Sequence, residues 1–189
     1  MTTTSTRDLQ GVQVPEAGTY ALDKGHTTIE FIGRHLMITK VRGRFTAFDG
    51  QVVIGESPRD SSVAVSIETA SVDSSDEKRD GHLRSPDFLD VETFPTITFR
   101  STGVDIGANG SAKVTGDLTI KDVTRPVTLD VEFDGAQTDP WGGQRLGFSA
   151  HTDIDREDWG LTWNVALETG GVLVGKKIRL ELNVEAVKQ

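Results

Sequence analysis

Seven residues able to do chemistry crowd into the twelve positions from Arg79 to Asp90: Arg79, Asp80, His82, Arg84, Ser85, Asp87 and Asp90. An imidazole beside carboxylates can move a proton or bond a polar head group, and guanidinium groups grip phosphate bidentately. Each assignment has a plainer counterpart. A histidine at a helix end bonds a neighbouring carbonyl, and Arg79 and Arg84 pair with Asp80, Asp87 or Asp90 to pin the segment. Closeness in sequence favours the plainer set. Turnover finds no support elsewhere: there is no nucleophile motif and no phosphate-cradling glycine loop, so no catalytic residue is assigned. The chain has no cysteine, and its four histidines, His26, His35, His82 and His151, lack ligand spacing. No metal and no cofactor are expected. His35 falls on the apolar face of its segment and reads as a satisfied core group.

The elements that must hold this cluster are strands. Ile29, Phe31, Gly33 and His35 alternate with Thr28, Glu30, Ile32 and Arg34; Val63, Val65 and Ile67 alternate with Ala64, Ser66 and Glu68. The same period of two recurs at Val41–Phe45, Ile97–Ser101, Val114–Ile120, Val127–Phe133, Leu146–Ile154 and Ile178–Val184. Asp49-Gly50 is the strongest hairpin signal, and Asn109-Gly110 a second turn. The cluster interrupts this pattern. Ser74 and Glu77 have capping-box spacing, which predicts a helix to Leu83 or Arg84, with Pro86 as a break. Arg156–Leu161 reads as one helical turn; Trp159 and Trp163 flank a loop near the predicted mouth, and their expected role is packing. Arg125 is expected to brace a turn.

Eight to ten strands joined by short turns, with no βαβ alternation, predict an all-β antiparallel barrel with one short helical insertion near residues 75–90. Residues 1–15 read as a flexible arm and 16–189 as one domain. A formal charge of −9 argues against nucleic acid as a partner. No run approaches the ~18 apolar residues of a membrane span, and the start of the chain lacks a signal-peptide core, so a cytoplasmic location is expected. Pairing of two copies is left open as a homodimer.

The inward positions are Ile, Val, Leu and Phe, interrupted by Gly33, Gly43, Gly116 and Ala150. Those gaps fit either a cavity or barrel corners. The cavity reading assigns an apolar tunnel to Ile29, Phe31, Phe45, Ile67, Phe99, Leu118, Leu129 and Phe148. A polar mouth is assigned to Arg79, His82, Arg84 and Ser85.

R-D-G-H-L-R-S-P-D-F-L-D (79–90) followed by F-P-T-I-T-F-R-S (94–101) resembles the signature of the YceI family of bacterial, lipocalin-like, polyisoprenoid-binding proteins. Blocks at 29–50, 116–129, 147–161 and 174–180 extend the resemblance over nearly the whole chain from Gly18. It implies an extended barrel holding a long isoprenoid, such as an isoprenoid quinone or polyprenyl phosphate, with no enzymatic activity. The alternatives kept beside it are an enzyme, or a structural module of the same fold, with the His82 region as polar site.

Overall fold

A computed structural model describes residues 6–9, 11–107 and 110–189. Among these residues there are thirteen strands: β1 (Thr6–Leu9), β2 (Val12–Pro15), β3 (Gly18–Leu22), β4 (Thr28–His35), β5 (Thr39–Phe45), β6 (Phe48–Ile54), β7 (Ser62–Glu68), β8 (Val72–Asp73), β9 (Thr96–Ile106), β10 (Ser111–Ile120), β11 (Val123–Thr138), β12 (Gln144–Asp155) and β13 (Lys177–Lys188). An α-helix, α1 (Glu77–Arg84), lies between β8 and β9. The order β12-β11-β10-β9-β7-β6-β3-β13, with β13 returning to β12, closes an eight-stranded antiparallel barrel. Closure leaves no bare edge in that ring.

Three staves are broken in two. Strand β13 pairs with β3 through Ala186–Lys188 and with β4 through Arg179–Asn183. At the break, the Thr27 hydroxyl donates to Glu185 O and accepts from Glu185 N, both at 3.1 Å, and so stands in for a backbone rung. Likewise β5 and β6 form one bent stave, and β7 and β8 another. Between β8 and β9 the wall stops hydrogen-bonding, and residues 74–95 fill that end.

Asp49-Gly50 is not a hairpin. Both residues lie inside β6, opposite Ser66 and Val65. A Cβ on Gly50 would stand 2.8 Å from Ala64 O and 2.9 Å from a Leu22 methyl. Glycine is there for close approach, and the chain bends at Thr46-Ala47 instead. Asn109 lies outside the described residues; Gly110 beside it has φ +79°. The expected arm is, over Thr6–Leu9 and Val12–Pro15, a hairpin.

Helix α1 begins two residues later than the capping-box spacing suggests. Asp76 is the cap and accepts from Arg79 N at 3.0 Å. Ser75 adopts φ +61°, and the buried Ser74 is engaged elsewhere, as described below.

Charged ladders cover the outer wall: Arg42 joins Glu30 (2.9 Å) and Glu181 (3.0 Å), and Lys177 joins Asp153 (2.8 Å). Apolar residues inside and ions outside is the reverse of a barrel that faces lipid. Among the described residues no helix is long and apolar enough to cross a membrane.

Candidate functional site: an apolar barrel cavity with a polar mouth

The inward side chains do not meet in the middle. They enclose an apolar cavity of about 930 Å³ that reaches from the α1 end of the barrel to the N-terminal hairpin. Ile29, Phe31, Phe45, Ile67, Phe99, Leu118, Leu129 and Phe148 all line it. Strand periodicity located them because side chains alternate between wall faces. One flank of the interior is filled instead, by the fully buried Tyr20, Leu146 and Ala186.

Two of the glycine gaps are not empty. A Cβ on Gly43 would lie 2.3 Å from the Phe31 ring, and one on Gly116 would lie 2.5 Å from both the Phe99 ring and Arg100 O. These glycines seat rings against the wall, and β10 shifts register against β9 at Thr115/Gly116. Gly33 and Ala150 do border the cavity.

The mouth at the α1 end is aromatic and cationic. The His82 ring stands edge-on to Trp163 (4.4 Å between centroids) and to Phe88 (5.0 Å). Its Nε2 lies 2.9 Å from Asp87 Oδ2. Arg79 also borders the cavity, but it does not pair with an acid directly. Its Nε donates to Ser74 Oγ (2.7 Å) and its terminal nitrogen to Ser74 O (2.8 Å). Ser74 in turn bonds the buried Asp80 through its amide (2.8 Å) and its hydroxyl. A serine relay therefore replaces the expected Arg–Asp pair.

Arg84 and Ser85 are not at the mouth. Arg84 donates to Ala70 O (2.9 Å) and Val72 O (2.7 Å), tying α1 to the end of the broken stave. Ser85 Oγ donates to the His82 main-chain carbonyl at 2.7 Å and caps the helix. Both lie on the side of α1 that faces the chain rather than the cavity, which residue type alone does not reveal.

Arg156 supplies what the sequence reading missed. It opens a 3-10 turn (Arg156–Trp159), is only 4% exposed, and borders the cavity. Its partners are main-chain carbonyls: Gly175 O at 3.0 Å, Val174 O at 3.4 Å and Leu161 O. Its carbon Cζ lies 5.9 Å from the centre of the Phe88 ring. Burial pushes its pKa down, against smaller raising contributions from Glu157 and Asp155. A buried arginine was invisible because R-E-D-W looks like an exposed polar turn. Trp159 is a packing residue, its indole donating to Leu118 O at 3.0 Å. Arg125 Nε donates to Asp158 O at 2.7 Å and so braces that turn. His35 borders the upper cavity but is exposed, so it is not the buried core group expected.

The far end is closed by the hairpin. Val12, Val14 and Pro15 border the cavity there. Arg7 holds the hairpin to the β6–β7 loop through Glu56 (2.8 Å) and Gly55 O.

On the outside, His26 gains partners that its sequence spacing hid. Asp23, His26 and Glu185 bring their ligand atoms within 4.8 Å of one another. The Arg145 guanidinium already bridges Asp23 (2.6 Å), Glu185 (2.5 Å) and Asp139 (2.8 Å). That contact, followed by smaller ones from His26 and Gly25, lowers the Asp23 pKa to about 2.

The profile of the YceI-like domain matches residues 20–186. The chain belongs to the YceI-like family. A UPF0312 protein of Vibrio cholerae is 39% identical over 178 residues, which cover 92% of this chain and 89% of that one. The structure of a Campylobacter jejuni YceI protein superposes with a TM-score of 0.72 at 28% identity, covering 82% of this chain and 90% of its own. A polyisoprenoid-binding domain from Saccharophagus degradans shares the fold (TM-score 0.67, 13% identity, 92% and 100% covered). The YceI-like match begins at Tyr20, so the hairpin that floors the cavity precedes it.

Proposed function

We propose that this protein binds a long isoprenoid-type lipid inside the barrel and carries or sequesters it. The observation behind the reading is the cavity. At about 930 Å³ it stands at the upper end of the ~300–1,000 Å³ typical of ligand pockets. Side chains packed through the interior would have favoured a purely structural barrel. The polyisoprenoid-binding function of the Saccharophagus degradans neighbour adds support.

Affinity in such a site comes from the wall. Each buried CH₂ is worth ~0.8 kcal/mol, so one isoprene unit gains roughly 3 kcal/mol before ordering costs. A head group would sit beside His82, Trp163 and Arg156. Arginine carries five N–H donors, and Arg156 makes three bonds to carbonyls, which leaves donors for a carbonyl or phosphate oxygen. Two contacts favour binding over turnover: the Ser85 hydroxyl is taken up by a main-chain carbonyl, and the His82 ring packs edge-on against Phe88 and Trp163.

The test is organic extraction of the natively purified protein with mass spectrometry of the extract, alongside native mass spectrometry of the complex. An isoprenoid bound in stoichiometric amount is expected. An empty barrel from several expression conditions would overturn the proposal.

A further inference from the structure

The turn between β4 and β5 breaks the rule for its own geometry. Ile38 N donates to His35 O at 3.0 Å, which closes a tight hairpin turn. Its two central residues, Leu36 (φ +53°) and Met37 (φ +58°), are both left-handed. Such turns favour Asn-Gly, because a Cβ is disfavoured there. Here the strained positions carry large apolar side chains that stay exposed, Leu36 at 37% and Met37 at 55%, and Ile38 after them is 74% exposed. A local rule broken without a packing gain points to function.

The tip belongs to a larger apolar apron at the α1 end. Leu36 N donates to Leu173 O (2.8 Å), Leu173 N to Val165 O (3.0 Å), and Gly175 N to Arg34 O (2.9 Å). This places the exposed Val165 on the same surface. Leu173 and Val174, one strand over, border the cavity, so the apron is continuous with its mouth.

Charge distinguishes what could cover it. The chain carries −9, yet Arg34 and Lys40, cross-strand neighbours at the tip, have no carboxylate within ion-pair distance among the described residues. Lys176 beside them pairs with Glu157, and Glu168 is the one acid between Trp163 and Gly175. Asp76, Glu77 and Asp87 are exposed on the α1 flank of the same end, so exposed apolar side chains flanked by cations make the β4–β5 tip and the 163–175 loop, rather than that flank, the part that matches an anionic bilayer. We propose that the β4–β5 tip and the 163–175 loop form a docking face for an anionic lipid bilayer, through which the mouth opens onto the membrane. The membrane source of the cargo rests on the isoprenoid reading above; the docking face does not.

The experiment is co-sedimentation of the full chain with vesicles of equimolar phosphatidylcholine and phosphatidylglycerol, and with phosphatidylcholine alone. Binding is expected to the anionic vesicles and to weaken with salt. Met37→Ser/Ile38→Ser is expected to lower partitioning about tenfold or more. Arg34→Glu/Lys40→Glu is expected to lower it roughly fivefold per charge. Leu36→Asn/Met37→Gly suits the turn better, so it should raise the melting temperature while reducing docking, which separates docking from folding. Trp141→Ser, at the opposite end and 87% exposed, should change nothing. Sedimentation equally strong in the tip variants, a loss equally large in Trp141→Ser, or no binding by the unmodified protein would overturn the proposal. So would tip variants that convert a dimer to a monomer without vesicle binding, which would assign the face to a second copy. Extracting cargo from the tip variants keeps the two readings apart. Cargo retained with docking lost supports both; docking by a protein that never holds isoprenoid leaves the face standing and removes the cargo.

Discussion

Replacing Arg156 by methionine tests whether one buried cation holds the roof of the cavity together. Its guanidinium bonds Gly175 O, Leu161 O and Val174 O. Val174 O also accepts from Asn164 Nδ2 at 2.7 Å, so methionine strands two carbonyls, those of Gly175 and Leu161. An unsatisfied buried acceptor costs about 1–3 kcal/mol. Removing a buried charge that has no carboxylate partner returns part of its desolvation. The net loss is therefore roughly 2–4 kcal/mol, which for a chain of this size lowers Tm by about 5–15 °C. Arg156→Lys keeps the charge but not the planar fork, so an intermediate loss is expected. The assay is thermal and urea unfolding of cargo-free protein, followed by extraction of cargo from each variant. If Arg156→Met unfolds with the unmodified protein, the three carbonyl contacts do not tie residue 161 to residues 174–175, and the account of the roof is wrong. If stability falls but cargo is retained in full, the roof is structural and takes no part in retention.

Three further outcomes follow from particular contacts. Gly116→Ala drives a Cβ onto Arg100 O, which cannot move aside, and should destabilise by about 1–3 kcal/mol; Gly103→Ala, with open space around its Cβ, should be neutral or slightly stabilising in the same urea titration. Ala150→Trp fills the cavity from the wall and should abolish extractable cargo while the circular dichroism spectrum stays that of a barrel; cargo at unmodified levels would place the ligand elsewhere. Asp23, whose pKa is lowered to about 2 by Arg145, contributes stability that is complete above its ordinary value of 3.8 and disappears as pH falls through about 2. Asp23→Asn should therefore lose roughly 1–2 kcal/mol at neutral pH, allowing for screening by water, and match the unmodified protein in strong acid; an equal difference at both extremes would rule out the charge as its cause.

The barrel was legible because its determinant is local. A two-residue period assigns each side chain to a face, and that sufficed for Phe31, Ile67, Leu129 and every other expected lining residue. The helical insertion was legible because it breaks the period. What stayed hidden depends on contacts between distant segments. Gly50 looks like a turn until Leu22 and Ala64 are placed against it. His26 looks isolated until closure of β3 on β13 brings Glu185 near. Arg79 and Arg84 were expected to take the nearest acids, but helix geometry turns them toward Ser74 and toward the carbonyls of residues 70 and 72. Arg156 sits in a polar tetrapeptide, and only the return of residues 174–175 over it makes it a buried group.

The two ends of the cavity then have different tasks. At the hairpin end the closure is apolar: Val14 and Pro15 are buried, β1 and β2 pair through their backbones, and Arg7 adds carbonyl bonds and one exposed ion pair, which is weak. At the α1 end the closure is built from buried polar chains, Arg79–Ser74–Asp80 and Arg156 with its carbonyls, which hold only when each donor meets its acceptor. An apolar tail can be accommodated by an apolar floor of any detailed shape, because dispersion and burial are indifferent to direction. A head group cannot, because hydrogen bonds lose their value over a few tenths of an ångström. The conspicuous motif therefore fixes α1 and the roof, and on the proposed isoprenoid reading the alternating apolar residues would supply the larger share of the binding free energy.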